Sequence, residues 1–199
     1  MSNNPLDPLI ETLSKLPSIG PKSAQRLAFF MVSLPTEEVV NMATTMTVVR
    51  QSIKYCHTCF NIAVSDQCHI CNNPKRDSTQ LCIVAEPKDI FAIERTHEFK
   101  GVYHVLGGLV SPLDGSYPDA LRIPELTDRI KKDHYSEIIL AINPTIEGES
   151  TILYLQTILK PYQLKVSTLA YGLPAGADMD YADELTLQKS FTGRHLVEK

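Results

Sequence analysis

The sequence predicts an α/β chain in four parts: an N-terminal helical hairpin region, a small four-cysteine element, a parallel-sheet domain and a helical C-terminal tail. Three observations predict it. Apolar residues recur at helical spacing from Leu6 to Ile53. Two Cys-x-x-Cys pairs, Cys56/Cys59 and Cys68/Cys71, follow with eight residues between them. From residue 80 onward, short apolar runs alternate with helical stretches, the rhythm of a parallel sheet with crossover helices. These changes of rhythm place boundaries at 1–54, 55–79, 80–175 and 176–199.

The first helix is expected over residues 5–16, with Asp7 as N-cap, Pro8 at the first helical position and an apolar stripe of Leu6, Leu9, Ile10, Leu13 and Leu16. Pro17-Ser18-Ile19-Gly20 interrupts it, and Pro21 restarts a helix whose Ala24, Leu27, Ala28 and Met31 share a face. Two helices on so short a turn form a helical hairpin. At the turn, Gly20 lets the backbone approach a surface closely, and the free N–H groups opening the second helix face an anion. Lys15, Lys22 and Arg26 add cations, a set that grips a phosphodiester without reading bases. The stretch Leu16-Pro17-x-Ile19-Gly20-Pro21-Lys22-x-Ala24 resembles the helix-hairpin-helix motif of DNA-binding proteins, with Ser18 where that motif usually has its first glycine. A third helix is expected to be capped by Thr36, with Glu37 and Glu38 favourable to its dipole. Its seam of Val39, Met42, Met46, Val49 and Ile53 reads as core or as an interface with a partner helix.

Each Cys-x-x-Cys turn aims two thiolates at one point, so Cys56, Cys59, Cys68 and Cys71 make a closed S4 cage. That donor set suits structural zinc and leaves no open position for a substrate; an iron–sulfur centre is the other thiolate option. Disulfides need an oxidising compartment, yet the N-terminus does not read as a signal peptide. A thioredoxin-type pair needs one such turn in a βαβ context, not two in tandem. His57 and His69 lie inside the turns, where the cysteines already fill the site, and Cys82 reads as a packed thiol in mid-strand.

Beyond residue 80, strands are expected at 81–85, 102–106, 137–142 and 165–169, and helices at 89–94, 124–134, 147–159 and from about Tyr181 onward. Function in such sheets collects where strands end, which singles out Glu86 and the turn Asn143–Glu149. No Gly-x4-Gly-Lys-Ser/Thr is present, so nothing supports a nucleotide P-loop.

The formal net charge of −4 argues against wholesale coating of nucleic acid. Residues 1–80 carry seven Lys/Arg against six Asp/Glu, and residues 81–199 twelve against seventeen. The acidic excess therefore belongs to the second part, and a nucleic-acid site must be a local, salt-sensitive patch in the first. With no apolar run long enough for a bilayer, and cysteines suited to a reducing compartment, the expected location is the cytoplasm.

The hairpin, the four cysteines, the α/β stretch and a closing Gly172-x-Pro174-x-Gly176-x-x-x-Asp180-Tyr181-x-Asp183 together resemble the RecR family of bacterial recombination mediators, in family order over nearly the whole chain. The resemblance implies a Toprim-like, Rossmannoid domain over 80–175. Catalytic Toprim domains hold magnesium with a glutamate after the first strand and a later Asp-x-Asp pair. Glu86 matches the glutamate, but Asn143-Pro144-Thr145 stands where the aspartates belong, so the family's non-enzymatic character is expected here. The resemblance further implies a dimer-to-tetramer ring or clamp around single- or double-stranded DNA. That clamp would work with RecO, and in some complexes RecF, to load RecA onto single strands coated by single-strand-binding protein. Positions matching Glu86 and Glu147 are implicated in contacting RecO, and the C-terminal segment, a Walker B likeness without a Walker A, fits exchange between subunits. Two other classes stand beside this one. One is a magnesium-dependent Toprim nuclease or primase-like enzyme using Glu86, Glu147 and Glu149 with Asp89 or Asp114. The other is a zinc-stabilised protein scaffold that does not bind DNA.

Overall fold

The structure, a computed structural model, describes residues 4–194. The chain divides into two compact units, Met1–Ile53 and Lys54–Lys199.

In the first unit, α1 (Asp7–Ser14) and α2 (Pro21–Ser33) pack through a small core of Leu13, Ala24 and Ala28, with Leu9, Ile10, Ile19, Leu27 and Met31 around it. Alanines at the contact let the helix axes approach closely. Asp7 is not the N-cap. Leu6 takes that place because Asn4 starts a turn, its Oδ1 accepting from the Leu6 N–H at 3.1 Å, which draws Asp7 inside the helix. Thr36 is likewise the first residue of α3 (Thr36–Ser52), with Pro35 at the cap. The α3 seam is not core, since the helix buries none of its residues and Met46 is 66% exposed. Its apolar residues also include Val40 and Val48, so they spread around the helix instead of forming one stripe for a single neighbour.

The second unit opens with a two-stranded antiparallel ribbon, β1 (Lys54–Tyr55) and β2 (Ile62–Ala63). A parallel four-stranded sheet follows, built from β3 (Asp77–Val84), β4 (Gly101–Val105), β5 (Glu137–Leu140) and β6 (Lys165–Thr168) in the order β4-β3-β5-β6. Its helices are α4 (Pro87–Glu94), α5 (Ile123–Lys132), α6 (Ile146–Leu159) and α7 (Glu184–Thr192). The expected strands and helices are present with ends displaced by a few residues, save that the C-terminal tail is α-helical only at Glu184–Thr192 and its expected course over 195–199 lies outside the described residues.

Alternation along β3 sorts the core. Leu81 and Ile83 join Leu126, Ile130, Ile152 and Leu155 of α5 and α6 on one face. Cys82 and Val84 face the other way, into a cluster with Ile90 of α4 and with Cys56, Cys59, Cys68 and Ile70 of the cysteine element. Burial pushes the Cys82 thiol up to about 12, as expected of a packed cysteine. Where α6 crosses the β5 turn, only glycine fits, because a Cβ on Gly148 would lie 2.0 Å from the Asn143 carbonyl oxygen. Among the described residues, no helix is long and apolar enough to cross a membrane.

Candidate metal centre and nucleic-acid interface

The cysteine element is two tight turns of one design. The Cys56 N–H donates to Asn61 O at 2.8 Å, the Phe60 N–H donates back to Cys56 O at 2.9 Å, and Asn72 N–H closes the second turn on Cys68 O at 3.1 Å. Phe60, at the close of the first turn, takes the left-handed conformation, φ +62°. The four sulfurs all lie within 4.8 Å of one another. A tetrahedral S4 site with Zn–S near ~2.3 Å requires S···S near ~3.8 Å, and Cys59 and Cys68 Sγ are 3.5 Å apart. Without a cation, the sulfurs must share protons. The hydrogen bond to Cys68 pushes the Cys59 thiol up, and the bonds from Cys59 and Cys71 pull Cys68 well down. A divalent cation replaces those protons with one charge that suits every sulfur. His57 and His69 are exposed and stand outside the group, and His57 Nδ1 lies 2.7 Å from Asp66 O.

This element covers a sheet edge. β4 is an outer strand, whose outward N–H and C=O groups need partners. The Val105 N–H donates to Cys59 O at 2.8 Å, and Arg129 Nη1 donates to Tyr103 O at 2.6 Å. The same Nη1 reaches Thr58 O at 3.4 Å, so one guanidinium ties the first cysteine turn, β4 and α5 together. Phe60 packs edge-on against buried His104 and lies beneath the Arg122 guanidinium. None of these three was singled out from the sequence. Only Phe60, as the residue after Cys59, carries a local signal.

The hairpin turn is open to solvent. Gly20, Lys22, Lys15 and Arg26 are all exposed, and among the described residues none of the three cations pairs with a carboxylate. Gly20 is the N-cap of α2 at φ −79°, ψ 169°, with no side-chain cap, so the first amides of α2 stay open. Its backbone is one that any residue adopts, and no atom lies within 4 Å of where its Cβ would be. Nothing inside the chain demands glycine there. Ser18 does need the left-handed region, at φ +64°.

At the carboxyl ends of β3 and β5 the carboxylates have local duties. Glu86 caps α4, its N–H donating to Asp89 Oδ2 at 2.8 Å, and its carboxylate pairs with Lys88 at 2.7 Å. Thr145 caps α6 by accepting from the Gly148 N–H at 3.1 Å. Glu149 pairs with Lys189 of α7, whose ammonium also sits 4.4 Å from the Tyr171 ring centroid. Glu147 is partly buried in the first turn of α6, and Asp114 accepts from Ser111 Oγ at 2.6 Å. Among the described residues the four cysteines form the group whose donors converge, and Glu86, Glu147 and Glu149 form no such group.

Comparison with known proteins follows the same division. Family models match at 6–49 (RecR, helix-hairpin-helix), 53–73 (RecR, four-cysteine zinc finger domain), 79–170 (Toprim domain) and 172–195 (RecR, C-terminal). The zinc-finger match spans all four clustered cysteines, and zinc is the structural cofactor of this element. The chain is 49% identical to recombination protein RecR of Thermobifida fusca over 190 residues, 96% of each chain. It is 47% identical to recombination protein RecR of Cutibacterium acnes over 194 residues, 98% of this chain and 96% of that one. With the zinc cage, the open hairpin and the Toprim-like sheet in family order, the chain belongs to the RecR family of recombination proteins.

Proposed function

We propose that this chain is a non-catalytic, DNA-binding mediator of recombination and repair, working in the cytoplasm as a homo-oligomeric clamp. Zinc, held by Cys56, Cys59, Cys68 and Cys71, has an architectural task. DNA is gripped at the phosphates by the open amides after Gly20 and by Lys15, Lys22 and Arg26. The observation that carries the reading is the hairpin turn, where exposed, unpaired cations stand beside uncapped amides and a glycine that the fold itself does not need. Three cations per chain bind weakly alone, and a ring of two to four copies multiplies them through effective concentration. The exposed apolar residues of α3 and Phe29, Phe30 and Val32 of α2 support association between copies. Glu86 and Glu147 form the acidic face for RecO, with RecF a further partner, in the loading of RecA onto coated single strands. The four-part division at 54, 79 and 175 assigns DNA to the first part and protein partners to the third.

The test is charge reversal at the hairpin. Lys22→Glu with Arg26→Glu is expected to weaken DNA binding at least tenfold. It should also lower the slope of log affinity against log salt by about one per lost phosphate contact. An unchanged slope overturns the hairpin assignment, and DNA cleavage or extension on adding magnesium overturns the non-catalytic reading.

A further inference from the structure

A cavity of about 400 Å3 opens at the carboxyl ends of β3 and β4, walled by Tyr55 and Phe60 of the zinc element and by Glu86, Leu106, Gly107 and Arg122. Its walls include fixed planes. The Arg122 guanidinium lies over the Phe60 ring, 5.0 Å from its centroid, and Nη1 is anchored on Glu125 Oε1 at 2.8 Å. Phe60 is held in turn by the His104 ring, centroids 5.4 Å apart, and His104 Nε2 returns to the Arg122 carbonyl at 2.8 Å. Tyr55 leaves 68% of its surface open. Glu86, the one acid in the wall, keeps a half-exposed carboxylate whose Oε2 pairs with exposed Lys88 at 2.7 Å, leaving Oε1 as the acceptor offered to the cavity. At the mouth, Gly107 takes φ +87°, and no atom lies within 4 Å of where a Cβ would stand.

We propose that this cavity takes one unpaired nucleobase, guanine in preference to thymine. An exposed aromatic ring and a guanidinium held flat are the surfaces on which splayed-out bases stack. A carboxylate only accepts hydrogen bonds, so it matches an edge with adjacent donors, which guanine presents at N1–H and N2–H. Thymine offers one donor between two carbonyls, which the carboxylate repels. The bare backbone at Gly107 leaves room for the sugar-phosphate to pass out. The inference rests on the DNA-binding reading and adds a base contact to the hairpin's phosphate grip. Glu86 also belongs to the protein-partner face proposed above, so base and partner compete for it.

The zinc-loaded full chain is titrated with dGMP, dTMP and inorganic phosphate while the tyrosine ring resonances are followed by NMR. Oligothymidine binding is measured in parallel. The Tyr55 ring is expected to shift with dGMP, with dTMP binding about tenfold more weakly and phosphate without effect. Tyr55→Ala and Arg122→Gln, both at exposed side chains, each weaken dGMP about tenfold at unchanged zinc content and melting temperature. Equal binding of dGMP and dTMP overturns the slot, as does a Tyr55 ring that answers N-acetyl-lysinamide and ignores dGMP. The latter marks a protein pocket. Retained oligothymidine binding in either case leaves the DNA reading standing. Guanine-selective dGMP binding without any oligothymidine binding upholds the slot, and the charge-reversal test at the hairpin, made on duplex DNA, then decides the DNA reading.

Discussion

The two units treat their polar groups in opposite ways. In Lys54–Lys199 those around the sheet edge are turned inward. The outward groups of β4 are matched by Cys59 and Arg129, and Arg76 bonds Glu94 and the Phe99 carbonyl while Tyr103 donates to the same glutamate at 2.6 Å. Burial raises Glu94, but the bonds from Arg76 and Tyr103 more than reverse it and hold the carboxyl below its usual range. In Met1–Ile53 they are left open. α2 starts on uncapped amides, Lys15, Lys22 and Arg26 stand alone, and α3 buries nothing. The lesson is that much of the second unit's buried polar chemistry serves its own fold, with only its exposed sites left for partners. The first unit's chemistry becomes intelligible only through what it meets.

The largest effect should come from removing zinc. Structural zinc in finger peptides contributes about 10–16 kcal/mol, as much as the whole stability of a typical domain, about 5–15 kcal/mol. Cys68→Ser, or chelation, is therefore expected to unfold the edge around β4 and expose it to aggregation. The amide of Val105, bonded to Cys59 O, should lose its protection in hydrogen exchange while the amides of α1 and α2 keep theirs. Retained protection at Val105 in the metal-free chain would break the comparison, because the sheet would then close its own edge.

Legibility in the sequence followed the range of the interaction. The cysteine turns, the hairpin and the strand–helix alternation are local patterns with fixed periods, and the elements stand close to where those patterns put them. The caps at Asp7 and Thr36 were misplaced by one residue, because Asn4 and Pro35 set the helix starts from outside. The two-residue strands β1 and β2 are too short to carry a period. Contacts between distant residues left no trace either, such as Arg129 to Thr58, 71 residues apart, and Lys189 to Glu149, 40 apart. The α3 seam marked an apolar helix, but no periodicity says whether the partner is the chain's own core or another molecule.

A smaller effect separates the units by pH. His104 is fully buried, and burial lowers its pKa to about 4. Nε2 lies at the Arg122 carbonyl and so carries the proton in the neutral ring, leaving Nδ1 without a partner. The unfolded chain takes up a proton near the usual ~6.5, the folded chain only near 4. The stability from neutral His104 is thus complete above pH ~6.5 and is lost as pH falls toward 4, amounting to about 3 kcal/mol. Residues 1–53 contain no histidine, so a histidine contribution to the slope belongs to the second unit. Denaturant midpoints at saturating zinc should fall over that window, and His104→Gln, which keeps a donor for the Arg122 carbonyl, should flatten the fall. An equal slope in the variant would place the proton elsewhere.

The smallest effect is the most informative about the open unit. Ser18 holds φ +64°, where a side chain costs about 1 kcal/mol relative to glycine. Glycine also loosens the unfolded chain, which returns roughly 0.4–1 kcal/mol of that gain. Ser18→Gly is therefore expected to stabilise the first unit by no more than about 0.5 kcal/mol, read as a small rise in the melting of α1 and α2. DNA affinity should hold or rise slightly, since the turn gains an unencumbered amide beside Gly20. If stability rises while DNA affinity falls, the serine hydroxyl is itself part of the phosphate grip, and the strain is kept for the ligand. If stability falls instead, the serine is held in place by contacts of the turn itself, and the first unit is less open than its exposed amides and cations indicate.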